Sequence, residues 1–163
     1  KGLSKLQVFA SQPRTASKCV NSILDMILYK IMRYVGIDFG RKRVGIAMSD
    51  EEGKIAFPKA VYLNDKKLLE RISDCCKENS ATGIILGESK NYKGENNPIM
   101  KDILKFKAEI EKATSLTVLM EPEFMTSSEA EKMRAEGDNA EMLDASAAAV
   151  ILQSYLSRKE NAK

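Results

Sequence analysis

Residues 33–49, RYVGIDFGRKRVGIAMS, contain two short apolar runs separated by a four-residue turn. Arg33–Asp38 and Arg43–Ser49 are rich in the β-branched residues that strands prefer. A third strand is expected over Ile55–Leu63, where Pro58 limits the middle of the run to a sheet edge or a bulge. Three strands joined by short turns predict an antiparallel meander.

After the meander the pattern alternates between helices and strands. The run Gly83–Gly87 is continuously apolar, as a strand buried on both faces should be. The other predicted elements are a helix over Asp65–Asn79 capped by Asn64, a helix from the Asn97-Pro98 cap to about Ala113, a strand over Leu116–Met120, a helix from the Thr126 capping box to about Ala135, and a helix over Glu141–Arg158. This order predicts an α/β fold in which one mixed five-stranded sheet, an antiparallel meander plus parallel strands, is flanked by helices.

The composition of the 163-residue chain excludes several kinds of chemistry. There is no histidine, which removes Ser-His-Asp and Cys-His nucleophile systems and histidine-bound zinc. The three cysteines are odd in number and lack CxxC spacing, which argues against a disulfide scaffold and favours a cytoplasmic protein. Any catalysis must therefore use carboxylates, lysine, hydroxyl groups or a bound metal.

The first 31 residues differ from the rest in charge and in pattern. They carry a net charge of +4, whereas the remaining 132 residues contain 21 basic and 22 acidic groups. We expect residues 1–31 to be an extension outside the domain, residues 32–158 to be the domain, and residues 159–163 to be a tail; an organelle transit peptide is the alternative for the extension. The helical pattern of Val20–Met32 is shorter than the ~20 residues that cross a bilayer, so no membrane partner is expected.

Three acidic residues stand at the ends of predicted elements. Asp38 ends the first strand, Glu123 follows the fifth strand, and Asp144 begins a helical stripe that is otherwise apolar. Taken singly, each acid has an ordinary alternative as a helix cap, a turn residue or an exposed charge. Together, in a domain without histidine, they favour a site for a divalent cation such as Mg²⁺, which prefers oxygen ligands.

Four segments, taken in order, resemble one known family. They are Gly36–Asp50 (GIDFGRKRVGIAMSD), the stretch from Ile84-Ile-Leu-Gly87 to Lys93-Gly94-Glu95, Pro122–Ala130 (PEFMTSSEA) and Leu143–Tyr155 (LDASAAAVILQSY). This series is similar to the motifs of the YqgF/RuvX family, RNase H-like proteins named as Holliday junction resolvases or as nucleases that mature the small-subunit rRNA precursor. The resemblance covers about Met32–Leu156 and implies an RNase H-like fold.

The resemblance also implies a function and a site. It places Asp38, Glu123 and Asp144 on the family's acidic triad, as catalytic residues and as ligands of Mg²⁺ or Mn²⁺. The implied reaction is hydrolysis of phosphodiester bonds in structured nucleic acid, either an rRNA precursor or branched DNA, by a monomer or a homodimer. The chain departs from the family's Asp-Glu-Arg at Pro122 and Phe124, and Glu121 is expected to replace part of the missing negative charge.

Basic residues near the predicted site are candidates for phosphate contacts. Arg41, Lys42 and Arg43 lie in the turn after Asp38, and their alternative is an ordinary solvated turn. Lys90 and Lys93, in the loop after Gly87, are a weaker set. Two other functions stay open: a non-catalytic nucleic-acid-binding or ribosome-assembly protein, and an actin/Hsp70-like ATP-binding domain, although a chain of this length lacks a second lobe.

Overall fold

The computed structural model of the chain describes residues 32–90, 95–123 and 140–161; Glu123 and residues 140–142 are described by their backbone alone. The elements are β1 (Tyr34–Phe39), β2 (Arg43–Ser49), β3 (Ala56–Leu63), α1 (Leu68–Glu78), β4 (Gly83–Ser89), α2 (Met100–Thr114), β5 (Val118–Glu123) and α3 (Ala140–Asn161).

The five strands form one sheet in the order β3-β2-β1-β4-β5. β1 pairs antiparallel with β2, and β2 pairs antiparallel with β3, while β1, β4 and β5 run parallel. This arrangement confirms the predicted mixed sheet of a meander plus parallel strands. The carboxyl ends of β1, β4 and β5 consequently meet at one edge of the sheet, where α/β proteins place their sites.

Each face of the sheet is covered by helices through an apolar core. On one face, sheet residues such as Ile37, Ile46 and Leu86 belong to the same buried cluster as residues of α1 and α2, among them Ile72 and Ile103. On the other face a smaller cluster joins the sheet to α3; its buried members are Ala47, Ile85, Ala148, Ala149, Ile151, Leu152 and Leu156. The sheet is therefore buried on both sides, as its apolar central strands require.

The alanine-rich helix α3 packs unusually close to the sheet. A Cβ added at Gly36 would lie 2.7 Å from Leu152 Cβ and 2.8 Å from the Ala148 carbonyl oxygen. A Cβ added at Gly45 would overlap the carbonyl oxygen of Asp144. These two glycines, on β1 and β2, let the backbone of α3 rest directly on the strands.

Two predicted helix caps are wrong, because the asparagines bond elsewhere. α1 begins at Leu68 with Lys67 at the N-cap and no side-chain cap, and the Asn64 amide donates instead to the Gly40 carbonyl. α2 begins at Met100, and the Asn97 amide donates to Ser89 Oγ at 2.9 Å.

Other element boundaries shift by a few residues. β5 covers 118–123 rather than the predicted 116–120, and α3 continues to Asn161 rather than ending at Arg158. Pro58 lies in the edge strand β3, opposite Ala47 and beside a register shift, as predicted. The helix predicted from Thr126 to Ala135 lies outside the described residues. Within the described ranges, the structure has no helix that is both long and apolar enough to span a membrane.

Candidate active site

Asp38 is a carboxylate in the central strand of the sheet. It lies next to the last residue of β1 and is in register with Gly45 of β2. Two effects together raise the pKa of Asp38 to about 6: first its burial, and second the neighbouring charge of Asp144. Asp38 is partly exposed, and the pairing of β1 with β2 fixes the position of its backbone in the sheet.

Asp144 reaches the same place from the helix above. α3 begins at Ala140, so Asp144 lies one turn inside the helix and is not the cap that the sequence left open as an alternative. The predicted stripe is confirmed at Ala148 and Ile151, which are buried against the sheet. Since Gly45 lets α3 approach closely, the helix delivers Asp144 to the strand position that neighbours Asp38.

Glu123, the third predicted acid, is the last residue of β5 and pairs with Ser89 of β4. Its backbone thus lies at the carboxyl edge shared by β1, β4 and β5, but its side chain is outside the described part of the structure. Among the side chains that the structure describes, no three acidic or cysteine residues form a group able to hold a metal ion. The convergence of all three acids stays a prediction.

Glu121, which the sequence suggested as a replacement for missing charge, has a different role. Its side chain is only 2% exposed, accepts a hydrogen bond from Ser154 Oγ at 3.0 Å, and is ion-paired with Arg158. Because both partners lie on α3, Glu121 fastens the edge strand β5 to that helix. Sequence reasoning missed this, since the pair spans 37 residues and no local pattern marks it.

The five predicted phosphate-binding residues lie in different settings. Arg43 Nε is 2.9 Å from Asp144 Oδ2, and Arg41 Nε is 3.5 Å from Asp102 Oδ2 on α2. Lys42 is exposed, and Lys90 is ion-paired with Glu88. Lys93 lies outside the described residues. The turn after Asp38 therefore holds two exposed cations, Arg41 and Lys42, and one, Arg43, that is engaged by the site itself.

The turn that carries these cations is fixed from a neighbouring loop. Asn64 donates from its side-chain amide to the Gly40 carbonyl at 2.9 Å and from its backbone to the Lys42 carbonyl at 3.0 Å. Phe39 packs on Phe106 of α2 with ring centroids 4.6 Å apart. Asn64, which the sequence pattern predicted to be a helix cap, instead binds the backbone of this turn.

The side chains at this position suit a hard divalent cation. Asp38 and Asp144 offer carboxylate oxygens, which Mg²⁺ and Mn²⁺ accept as ligands. The raised pKa of Asp38 means that its negative charge is disfavoured at this position, and a cation bound nearby would favour it. The chemistry of these two side chains therefore fits such an ion, which Asp38 and Asp144 would hold.

Comparisons with known proteins identify the family of this chain. Residues 32–158 match the family model RuvX, described as a Holliday junction resolvase. A protein of Thermoanaerobacter pseudethanolicus named "Putative pre-16S rRNA nuclease" is 32% identical over 138 residues, which cover 80% of this chain and 99% of that protein. A protein of the same name from a Sulfurihydrogenibium species is 33% identical over 131 residues, covering 77% and 90% of the two chains.

Solved structures give the fold. The Thermus thermophilus RuvC structure has a TM-score of 0.53 at 14% identity, covering 80% of this chain and 97% of that one. The T. thermophilus RuvC structure in complex with a Holliday junction substrate has a TM-score of 0.50 at 12% identity, covering 79% and 96%. The predicted RNase H-like fold is thereby confirmed. With its match over residues 32–158 and its relatives above 30% identity, the chain belongs to the RuvX family of Holliday junction resolvases.

Proposed function

We propose that this protein is a divalent-metal-dependent nuclease that hydrolyses phosphodiester bonds in structured nucleic acid. The observation that carries the proposal is the proximity of Asp38, a partly buried acid in the central strand, to Asp144, a second acid carried by α3. Two carboxylates brought together in a partly buried place are costly unless a cation joins them. Arg43 offsets part of that cost at Asp144, and a bound divalent cation would offset it for both acids.

Each residue of the site has a distinct task in this proposal. Asp38 is the fixed ligand, Asp144 is the ligand supplied by the helix, and Glu123 at the end of β5 is the third. A bound Mg²⁺ or Mn²⁺ supplies an activated water and stabilises the charge that develops on phosphorus. Arg41 and Lys42, in the turn beside Asp38, bind backbone phosphates and orient the strand.

The substrate we propose is an rRNA precursor. Relatives at 32% and 33% identity carry the name of a pre-16S rRNA nuclease along nearly their full length. The family description names Holliday junctions instead, so a four-way DNA junction is the second substrate to test. Backbone phosphates are the same in every sequence, so if Arg41 and Lys42 contact phosphates, recognition should depend on the shape of the nucleic acid.

Cleavage assays on both substrates test the proposal. Wild-type protein should cut with Mg²⁺ or Mn²⁺ and should stop cutting in EDTA. The Asp38→Asn variant should lose about 10²-fold or more of the rate, as expected when a group that stabilises the transition state is removed. Asp74→Asn is the matched control, because Asp74 is an exposed acid on α1 with a surface lysine partner. Equal activity of Asp38→Asn and Asp74→Asn would reject the site.

A non-catalytic role is the second candidate, and a specific feature favours it. Pro122 and Phe124 stand where the family has an acid and an arginine, and an arginine can bind a phosphate bidentately. If the wild-type protein binds either substrate tightly yet cuts neither with any divalent metal, the chain is a binding protein. Stabilisation against heat by ATP alone would instead favour the ATP-binding alternative.

A further inference from the structure

Two arginines of the same turn form ion pairs of different quality. Arg43 lies 2.9 Å from Asp144, and the two side chains are 38% and 32% exposed. Arg41 lies 3.5 Å from Asp102, with side chains that are 68% and 52% exposed. The shorter and more buried pair involves the acid that the proposed site needs, and so Arg43 is the cation that the fold itself places in that site.

The position of Arg43 is set by the sheet. It is the first residue of β2 and stands two positions before Gly45, so both belong to the strand face that α3 covers. The turn that precedes it is fixed by the two hydrogen bonds from Asn64. These contacts fix the backbone that carries Arg43, and the ion pair places its guanidinium next to Asp144.

We propose that Arg43 is the resident counter-ion of the acidic site: it holds Asp144 in the metal-free protein and releases it when a divalent cation binds. This inference rests on the proposed metal-dependent function. It makes Arg43 a positioning residue that acts through Asp144, in place of the phosphate contact that the sequence suggested.

The exchange follows from the charges of the site. Asp38 and Asp144 repel each other, and the positive charge of Arg43 offsets that repulsion while no metal is present. When a cation binds, the contact between Arg43 Nε and Asp144 Oδ2 breaks and a bond between the metal and the carboxylate oxygen forms. Arg43 therefore stabilises the metal-free site and weakens its affinity for metal. It holds Asp144 in place until a metal ion replaces it.

Manganese binding, measured by electron paramagnetic resonance at 0.1 M salt without nucleic acid, tests the exchange. Arg43→Gln should bind Mn²⁺ about tenfold more tightly than wild type, because a competing charge within a few ångströms is removed. Arg41→Gln, the matched control from the same turn, should change the affinity by less than about threefold, since its exposed charge is screened. Arg43→Lys retains the charge and should return the affinity close to that of wild type.

Thermal melts in EDTA test the counter-ion role separately. Arg43→Gln should melt below wild type and below Arg41→Gln, while adding Arg43→Gln to an Asp144→Asn background should cause little further loss. Additive effects of the two changes, or Mn²⁺ affinities that are the same for Arg43→Gln and Arg41→Gln, would overturn the inference and leave the proposed function standing. Absence of Mn²⁺ binding in wild type and in Arg43→Gln would reject both the exchange and the proposed metal site.

Discussion

The two neighbouring acids of the site, Asp38 and Asp144, differ in their surroundings. Asp38 is held in the sheet, where burial raises its pKa to about 6, whereas Asp144 is partly exposed and has Arg43 beside it. Removing the charge of Asp38 should therefore stabilise the folded protein, because an unfavourable ionisation is avoided. Removing the charge of Asp144 instead leaves Arg43 without its ion-pair partner. Variants of the two acids should differ in stability even where both abolish activity.

We predict that Asp38→Asn stabilises the metal-free protein at neutral pH. The pKa of Asp38 rises from 3.8 to about 6 on folding, so the folded state holds this proton more tightly than the unfolded state does. The resulting cost of ionisation is absent at low pH, develops as the pH rises through about 4 to 6, and amounts to roughly 2–3 kcal/mol above that window. Urea unfolding in EDTA at pH 7.5 and pH 4 measures it.

The sign of the effect provides its own control. Asp38→Asn should be more stable than wild type at pH 7.5, and this advantage should disappear near pH 4, where the wild-type carboxyl is protonated in the folded state. Saturating Mg²⁺ should stabilise wild type and leave Asp38→Asn unchanged. If the variant is less stable than wild type at pH 7.5 without metal, Asp38 is a structural acid.

Single residues could be predicted from the sequence only where their role was local. Asp38 and Asp144 stood out because each interrupted an apolar pattern whose period was clear. Glu121 and Glu123, two positions apart, could not be distinguished, since burial of Glu121 depends on Ser154 and Arg158 from a distant helix. The pairing of Arg43 with Asp144 joins residues 101 positions apart and left no trace in the local sequence.

Between elements, the approach of α3 to β2 is what brings the acids together. We predict that Gly45→Ala destabilises the protein by about 1–3 kcal/mol, because the new methyl group overlaps the helix backbone and forces it outward. The displacement occurs at Asp144 itself, so the Mn²⁺ affinity should fall together with the melting temperature. Calorimetric melts and manganese titrations measure the two effects.

Gly36→Ala is the matched control for this variant. It overpacks the same helix, but against Ala148 and Leu152, one to two turns beyond Asp144. It should cost similar stability and reduce the Mn²⁺ affinity less than Gly45→Ala does. Equal losses of affinity in both variants would show that Gly45 has no special part in placing Asp144.

The ion pair between β5 and α3 leads to an asymmetric prediction. Arg158→Ala should lower the free energy of unfolding by about 2–3 kcal/mol, because it leaves the buried Glu121 carboxylate without its cation. This value is reduced because the exposed arginine is screened by solvent. Glu121→Gln should cost less, since the exposed Arg158 returns to water and the Gln can keep the Ser154 contact. Adding Glu121→Gln to Arg158→Ala should restore stability in urea unfolding, and a further loss would contradict the asymmetry.

The elements themselves could be predicted from periodicity, while their ends could not. The apolar runs of β1, β2, β4 and β5 give strands because burial of the side chains enforces those patterns. The caps were mistaken because Asn64 and Asn97 bond to Gly40 and Ser89, which are distant in sequence. An asparagine side chain can bond to the helix backbone or to a residue that is distant in sequence, and the tertiary fold determines which of the two lies within reach.

For the whole molecule, strand order was the part that the residues alone left undetermined. The pattern indicated a meander followed by parallel strands, but not that β1 would stand between β2 and β4. That position buries β1 on both sides and places Asp38 in the middle of the sheet edge. The resemblance implied only an RNase H-like fold, which the succession of antiparallel and then parallel strands suits and which the structural neighbours confirm.

Our last prediction is that Met32–Lys163 unfolds as the full chain does. Both apolar clusters of the described residues lie between Val35 and Leu156, so the described core is contained in the truncated chain. The slope of unfolding free energy against urea, the m-value, scales with the surface that unfolding exposes. If residues 1–31 add no cooperative structure, the truncated chain should keep the same m-value and midpoint.

Both chains should be compared at equal and moderate salt, because the extension carries a net charge of +4 that shifts stability through long-range electrostatics. A lower m-value together with a lower midpoint would show that residues 1–31 belong to the folded unit.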